Sequence, residues 1–388
     1  MIKFCDGNRI ELLHGGVEYF PALIAACDAA TVEIHLQTYI FSGDSSGQAV
    51  AQALMRAARR GVAVRLLIDG FGSKELSTKF LQQLQEAGVR VLKFRPQLAV
   101  WRFRRTQLRR LHHKIAVLDR RIAFVGGINI IDDMDTPGQV PPRFDYAVKV
   151  EGPLLAEIHP VVARLWSLIA WTQLRPHKLP LPAVPIKTEK HGEQRAAFVI
   201  RSNLRHRKDI ENTYLGAIRR ARSEILIANA YFFPGKNFRR ALIEAAARGV
   251  HVMLLLQGRV EYRLLHYASR FLYRQLLDAG IEIYEYRRSF MHAKVAVIDG
   301  HWATVGSSNI DPLSLLLARE ANVIVEDSIF AHGLRHSLEE AMTIGAEPVR
   351  RMAWRKQWPL TRIMPWLCYE TVRFLTAWSS YGRARDFT

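Results

Sequence analysis

A chain of 388 residues, 49% of them hydrophobic, is long enough to bury a sizeable core and to form two or three domains. Its 55 Lys and Arg against 36 Asp and Glu, a formal net charge of +19, point to anionic partners, a nucleic acid or an acidic membrane surface. The three widely spaced cysteines, Cys5, Cys27 and Cys368, argue against a disulfide framework or a cysteine metal site and fit a reducing cytosol.

The opening MIKFCDGNRIELL has no long apolar run behind a basic stretch, so neither a signal peptide nor an N-terminal anchor is expected. TVEIHLQTYIF then reads as a strand, GQAVAQALMRAARRG as an amphipathic helix and VAVRLLIDG as a second strand. The following GFGSK lacks the spacing of a phosphate-binding loop and reads as a turn. A further helix and the strand opened by AGV at 87–89 precede QLAVWRFRRTQLRR. There Trp101 and Phe103 are interleaved with Arg102, Arg104, Arg105, Arg109 and Arg110. HHKIAVLDRRIAFVGGIN comes next, and a connection rich in Pro and charge occupies 174–194.

The order then repeats. SEILIANAYFF, NFRRALIEAAARG and VHVMLLLQG match the first three elements, with Tyr231 for Tyr39 and Gly249 for Gly61, and AGI at 279–281 leads into HAKVAVIDGHWATVGSSN. Strands alternating with helices predict α/β halves, each a mixed β-sheet flanked by helices. The expected division is a first domain over 1–173, a linker over 174–194, a second domain over 195–345 and a tail over 346–388. In the tail Trp354, Trp358, Trp366 and Trp378 sit among Arg351, Arg355, Lys356, Arg362 and Arg373. Its most apolar stretch, 363–378, is interrupted by Pro365, Glu370 and Arg373 and is too short to span a bilayer, a composition that suits an interfacial helix.

The two longest matching segments carry the chemistry. His112, Lys114, Asp119, Gly126, Gly127 and Asn129 recur, 180 positions on and at the same spacing, as His292, Lys294, Asp299, Gly306, Ser307 and Asn309. KIAVL and KVAVI read as strands, so His and Lys two residues apart converge on one face. The Asp five residues after each Lys falls on the opposite face and reads as structural support. The next strand delivers an Asn amide to the same region. Each half thereby offers an imidazole, an ammonium and an amide. Facing the halves across a pseudo-twofold axis supplies a nucleophile, a general acid and cations for phosphate oxygens, with no metal ion or other cofactor required.

On these segments the chain resembles the phospholipase D superfamily over roughly residues 8–345. LIDGFGS, NAYFFPG, EYRR, HWATVGSSNIDPLSL and REANVIV are similar to the bacterial cardiolipin synthases of the B type. The resemblance implies two phospholipase D-like domains with one pseudo-twofold active site at their interface. It carries over His112, Lys114, Asp119, His292, Lys294 and Asp299 as the catalytic motif, with Asn129, Asn309 and Ser307 as phosphate-binding residues. It also implies that a downstream carboxylate orients each histidine: Asp145 in RFDYAVKVEGP and Glu320 in REANVIV, each half having its own carboxylate behind its histidine. The implied reaction moves a phosphatidyl group from one phosphatidylglycerol to another through a phosphatidyl-histidine, with His112 the nucleophile and His292 the acid. The implied setting is peripheral, on the cytoplasmic face of the cell membrane. There the basic and aromatic segments bounded by Trp101 and Arg110, and by Trp354 and Trp378, would meet anionic phospholipid.

Three other readings use the same residues or the same charge: hydrolysis or transfer to other alcohols, a nuclease, disfavoured by the lipid-like tail, and a non-enzymatic lipid-binding protein. The first half has glycine where the second has Ser307, and Gln37 stands where many relatives carry a Glu. His35, His113, His251 and His301 lack the motif context and read as ordinary core or surface histidines. The His112-His113 doublet has no accompanying ligand pattern and is not read as a metal site.

Overall fold

The computed structural model describes residues 2–95, 109–173, 189–202, 206–260, 263–311, 318–350 and 359–381. The first half runs β1 (Phe4–His14), α1 (Gly15–Ala29), β2 (Glu33–Thr38), α2 (Ser45–Arg59), β3 (Ala63–Asp69), α3 (Thr78–Glu86) and β4 (Arg90–Phe94). It continues through β5 (Arg110–Leu111), β6 (Lys114–Leu118), β7 (Ile122–Gly126), β8 (Arg143–Phe144), β9 (Tyr146–Glu151) and α4 (Leu155–Thr172). Helix α2 shows why such segments fold as they do. Asp44 caps it by accepting from the Gly47 amide at 2.9 Å, and Val50, Ala51, Leu54 and Ala57 bury one face.

The second half repeats this as β10 (Gln194–Arg201), α5 (Asp209–Arg220), β11 (Glu224–Asn229), α6 (Lys236–Ala247), β12 (His251–Gln257), α7 (Arg263–Asp278) and β13 (Glu282–Tyr286). Then come β14 (Phe290–Met291), β15 (Lys294–Ile298), β16 (Trp302–Gly306), β17 (Ala318–Glu326) and α8 (Ser328–Gly345). Beyond the repeat lie β18 (Ala346–Pro348) and α9 (Pro359–Tyr381).

The strands join in the order β4-β3-β2-β6-β7-β9-β1-β10-β17-β16-β15-β11-β12-β13-β18. Within each half three strands are parallel, β2-β3-β4 and β11-β12-β13, and the others on the path pair antiparallel. The halves meet where the equivalent strands β1 and β10 pair antiparallel, Cys5 opposite Ala196. The second half therefore reads as the first in reverse order, the arrangement of a pseudo-twofold axis.

The motif strands β6 and β15 are buried on both faces. Ile115, Val117, Val295 and Val297 enter a central core shared by the two halves with α4 and α8. Ala116 and Leu118 face α1, α2 and α3, whereas Ala296 and Ile298 face α5 and α6. The period of two thus sorts one strand between two cores, each fully buried aliphatic side chain stabilising the fold by roughly 1.5–3 kcal/mol.

Residues 174–188 of the expected linker lie outside the described set, and Gln194 already opens β10. At the other end β18 extends the second half's sheet by pairing with β13, so the structure of that half passes residue 345. The tail helix α9 docks on α7, where Cys368 and Val372 pack with Ala268, Leu272 and Phe233. Its Ile363, Met364, Trp366, Leu367 and Phe374 remain exposed. Among the described residues no helix is long and apolar enough to cross a membrane. Trp101, Phe103, Trp354 and Trp358 lie outside the described residues.

Candidate active site

Among the described residues the two short strands before the motifs pair across the interface and not within their own halves. Strand β5 pairs with β17, and β14 pairs with β8, each parallel and each across the interface. The His112 amide donates to the Arg319 carbonyl at 3.0 Å, and its Nδ1 lies 2.9 Å from Glu320 Oε1. The His292 amide donates to the Phe144 carbonyl at 2.7 Å, and its Nδ1 lies 2.6 Å from Asp145 Oδ2. Backbone and imidazole of each histidine are thus held by two consecutive residues of the opposite half. This corrects the expectation that each half brings its own carboxylate. The strand leading into each motif is carried across to the other half's carboxylate strand.

Asp69, at the end of β3, helps to place the first motif. Its carboxylate accepts from the Leu111 amide at 2.8 Å and from the amides of Phe71 and Gly72 at 2.9 and 3.1 Å. The Tyr39 ring stands 5.0 Å from that of His112, with the Lys114 ammonium 5.6 Å from the same tyrosine ring. The sequence assigns no role to Asp69 or Tyr39, although both stand at strand ends in the quoted repeats, where α/β sheets place functional groups. Lys114 Nζ donates to the His112 carbonyl at 2.5 Å, and Lys294 donates to the His292 carbonyl. Lys294 is fully buried, 3.9 Å from Asp145 Oδ2.

Asn129 and Asn309 are both buried beside the motifs, and Asn129 Oδ1 accepts from the Ile40 amide at 3.2 Å. Ser307, expected to meet phosphate, donates its hydroxyl to Glu320 Oε2 at 2.5 Å. Its counterpart Gly127 has no space for a side chain, because a Cβ there would lie 2.3 Å from Asp145 Oδ1. The residue at this motif position is therefore matched to the carboxylate beside it. The hydroxyl meets the longer Glu320, and the bare glycine makes room for the shorter Asp145.

The two dyads are electrostatically unequal. Burial would raise Glu320, but the His112 imidazole, Lys114 and the Ser307 hydroxyl outweigh it and hold the carboxyl below its usual range. Burial dominates at Asp145 and pushes it up to about 6, against the pull of Lys294, the Tyr146 amide and Lys114. Both imidazoles are lowered, chiefly by burial. The Lys residues of both halves contribute at each histidine, and His292 falls well below its ordinary value. Burial also lowers Lys114 to about 8, with Glu320, Asp145 and Asp69 opposing the shift.

Asp119 and Asp299, carried over with the catalytic motif, bind backbone instead. Asp119 accepts from the amides of Thr31, Val32 and Glu33, and Asp299 from those of Arg222, Ser223 and Glu224. Each sits in a tight turn at φ near +50°, 49° for Asp119 and 52° for Asp299, and ties the end of its motif strand to the start of the neighbouring one. This agrees with their place on the opposite strand face. His113 is likewise structural, with Nε2 2.8 Å from Gln37 Oε1, while Gln37 Nε2 donates to the Val162 carbonyl.

Glu33, His35 and His159 are close enough together to suggest metal ligands. However, Arg120 donates to one Glu33 oxygen at 2.7 Å and Arg65 to the other at 2.9 Å. Two guanidiniums on one carboxylate oppose a divalent cation, and the cluster is a buried ion network that braces β2, β3 and α4.

Comparison with known proteins agrees with this architecture. The family described as "Cardiolipin synthase, PLD-like domain" matches residues 23–134 and 214–342, one stretch in each half. Cardiolipin synthase B of Escherichia coli K12 is 40% identical over 368 residues, covering 92% of this chain and 86% of that protein. Cardiolipin synthase 1 of Bacillus cereus is 31% identical over 343 residues, covering 86% of this chain and 66% of the relative. In fold, the crystal structure of phosphatidylserine synthase from Haemophilus influenzae Rd KW20 superposes with a TM-score of 0.73 at 12% identity, covering 97% of this chain and 96% of that one. The chain belongs to the cardiolipin synthase family of phospholipase D-like proteins.

Proposed function

We propose that the chain is a cardiolipin synthase that joins two phosphatidylglycerol molecules. The observation that carries the mechanism is the exchange of carboxylates between the halves, which directs both imidazoles to one interface. An ionised Glu320 accepts the Nδ1 proton of His112 and leaves its Nε2 lone pair free to attack. Asp145, whose carboxyl burial pushes up to about 6, takes a proton more readily than Glu320, and in its protonated form it donates to Nδ1 and keeps the proton of His292 on Nε2, the form of a general acid.

In the first step His112 Nε2 attacks the phosphorus of one phosphatidylglycerol. The P–N bond forms, the P–O bond to the headgroup glycerol breaks, and His292 gives its proton to the departing oxygen. In the second step His292 takes the proton from a headgroup hydroxyl of another phosphatidylglycerol, whose oxygen bonds to phosphorus as the P–N bond breaks. Cardiolipin and the earlier glycerol are the products. Lys114, Lys294, Asn129 and Asn309 hold the phosphate oxygens. One phosphodiester replaces another, so no nucleotide is consumed.

The enzyme works at a membrane surface, the cytoplasmic face on this reading. The exposed Ile363, Met364, Trp366, Leu367 and Phe374 of α9, with Leu264, Tyr267 and Phe271 of α7, offer apolar side chains to the bilayer. The net charge of +19 attracts its anionic headgroups.

Radiolabelled phosphatidylglycerol vesicles should yield cardiolipin and glycerol in equal amounts without nucleotide. Phosphatidate alone would indicate a hydrolase, and cleavage of single-stranded DNA without lipid products a nuclease. With an activated aryl phosphodiester, His292→Ala should release about one equivalent of phenol and retain the phosphoryl group on His112, whereas His112→Ala should release none. Turnover by either variant at the parent rate would contradict the two-histidine scheme.

A further inference from the structure

The halves differ at the ends of β3 and β12, where LLIDG is matched by LLLQG. In the first half Asp69 is engaged by three backbone amides of its own chain. In the second, Gln257 occupies the equivalent place, 7% exposed, and among the described residues its amide Nε2 has no hydrogen-bond partner. A buried donor left unmade costs free energy and marks a place where an acceptor belongs.

Gln257 lines a small cleft together with Tyr231, Arg259, His266 and Ser269. The cleft lies beyond the carboxyl ends of the parallel strands β11 and β12. It shares a wall with the motif, since the Ala230 amide donates at 2.9 Å to the carbonyl of Ala293, the residue between His292 and Lys294. Arg259 is anchored at the cleft by donating to the Arg287 carbonyl at 2.7 Å.

We propose that this cleft is the subsite for the headgroup glycerol of the acceptor lipid, with Gln257 donating its amide hydrogen to a glycerol hydroxyl. The inference rests on the reading of the chain as a cardiolipin synthase. In that reaction the leaving and the attacking glycerol both exchange their proton with His292, so their subsite belongs on the second half. The neutral amide suits a hydroxyl oxygen, and Arg259 beside it favours a lipid whose own phosphate is anionic. The first half offers no counterpart, because Asp69 is already occupied. This asymmetry gives the pseudo-symmetric site one donor side and one acceptor side.

The test measures how the phosphatidyl group partitions between lipid acceptor and water. On phosphatidylglycerol vesicles, Gln257→Leu should lower the ratio of cardiolipin to phosphatidate roughly tenfold relative to the parent enzyme. An unchanged ratio in a folded variant overturns the proposal. A second measurement needs no variant: glycerol and 1-propanol compete as soluble acceptors for the parent enzyme. Capture by glycerol roughly tenfold better than by 1-propanol supports the subsite, and equal capture overturns it. Failure of the parent enzyme to form any cardiolipin would overturn the proposed function instead, while the alcohol competition still reports on the cleft.

Discussion

The imidazole of His112 and the carboxylate of Glu320 are 208 residues apart in the chain and meet at 2.9 Å across the interface of the two halves. The ionised carboxylate fixes the tautomer of the imidazole. Glu320→Gln keeps the length of the side chain but loses the charge and can turn its NH₂ toward Nδ1. We expect kcat to fall on the order of 10²- to 10⁴-fold with little change in thermal stability. Asp145→Asn should cost less, because burial already drives that carboxyl toward its neutral form. Steady-state kinetics of the two variants side by side check this, and a larger loss from Asp145→Asn would refute the inequality of the dyads.

Gly127 and Ser307 occupy one motif position but are not interchangeable. Gly127→Ser places Cβ within 2.3 Å of Asp145 and must displace the carboxylate that orients His292. Activity should be lost and stability should fall by roughly 1–3 kcal/mol, as for other overpacked sites. Ser307→Gly removes a hydroxyl that donates to Glu320 and accepts from the Ala321 amide, so activity should fall about tenfold with the fold intact. Denaturant titration combined with cardiolipin assays separates the two outcomes.

Lys114 supplies a pH signature. Its ammonium is fully charged only below about 8, so phosphate binding should weaken as pH rises through that value. Because its pKa is depressed in the folded state, stability moves the other way. Burying the charged ammonium costs stability below about 8, and that cost is relieved as pH rises toward the ordinary value of 10.5. A Lys114→Arg enzyme, slower overall, should lose this alkaline limb because guanidinium keeps its proton. Profiles of kcat/KM and of denaturant midpoints between about pH 7 and 10.5 test both signs.

The exposed face of α9 is separate from the chemistry. Replacing Met364, Trp366 and Phe374 with serine should weaken binding to anionic vesicles by roughly tenfold or more. Turnover of a soluble phosphodiester should be unchanged. Co-sedimentation with phosphatidylglycerol vesicles checks the first outcome and a colorimetric assay the second.

Much of the site was legible because its signals are local. A His and a Lys two apart on an apolar strand must share a face, and an Asp five after the Lys must leave it. Asp119 and Asp299 are found where that parity puts them, on backbone amides. The packing of α9 on α7 was harder to foresee. Trp and Arg among apolar residues suit a lipid surface, and nothing in that pattern shows that Cys368 and Val372 bury against another helix. Gln257 carried no signal by itself, because its meaning depends on what surrounds its amide.

The sequence alone determined the duplication, the α/β alternation and the two triplets His112, Lys114, Asn129 and His292, Lys294, Asn309. Each of these follows from spacing and periodicity along one stretch of chain. Only the tertiary structure decided that Glu320 serves His112 and Asp145 serves His292. That pairing depends on β5 and β14 hydrogen bonding across the interface, and the local pattern of either half is equally compatible with a carboxylate of its own. The tertiary structure also decided which protein group the Ser307 hydroxyl meets, since a hydroxyl beside a phosphate site serves equally well as a donor to substrate or to a carboxylate. In the structure Glu320, brought from the strand alongside, accepts from that hydroxyl.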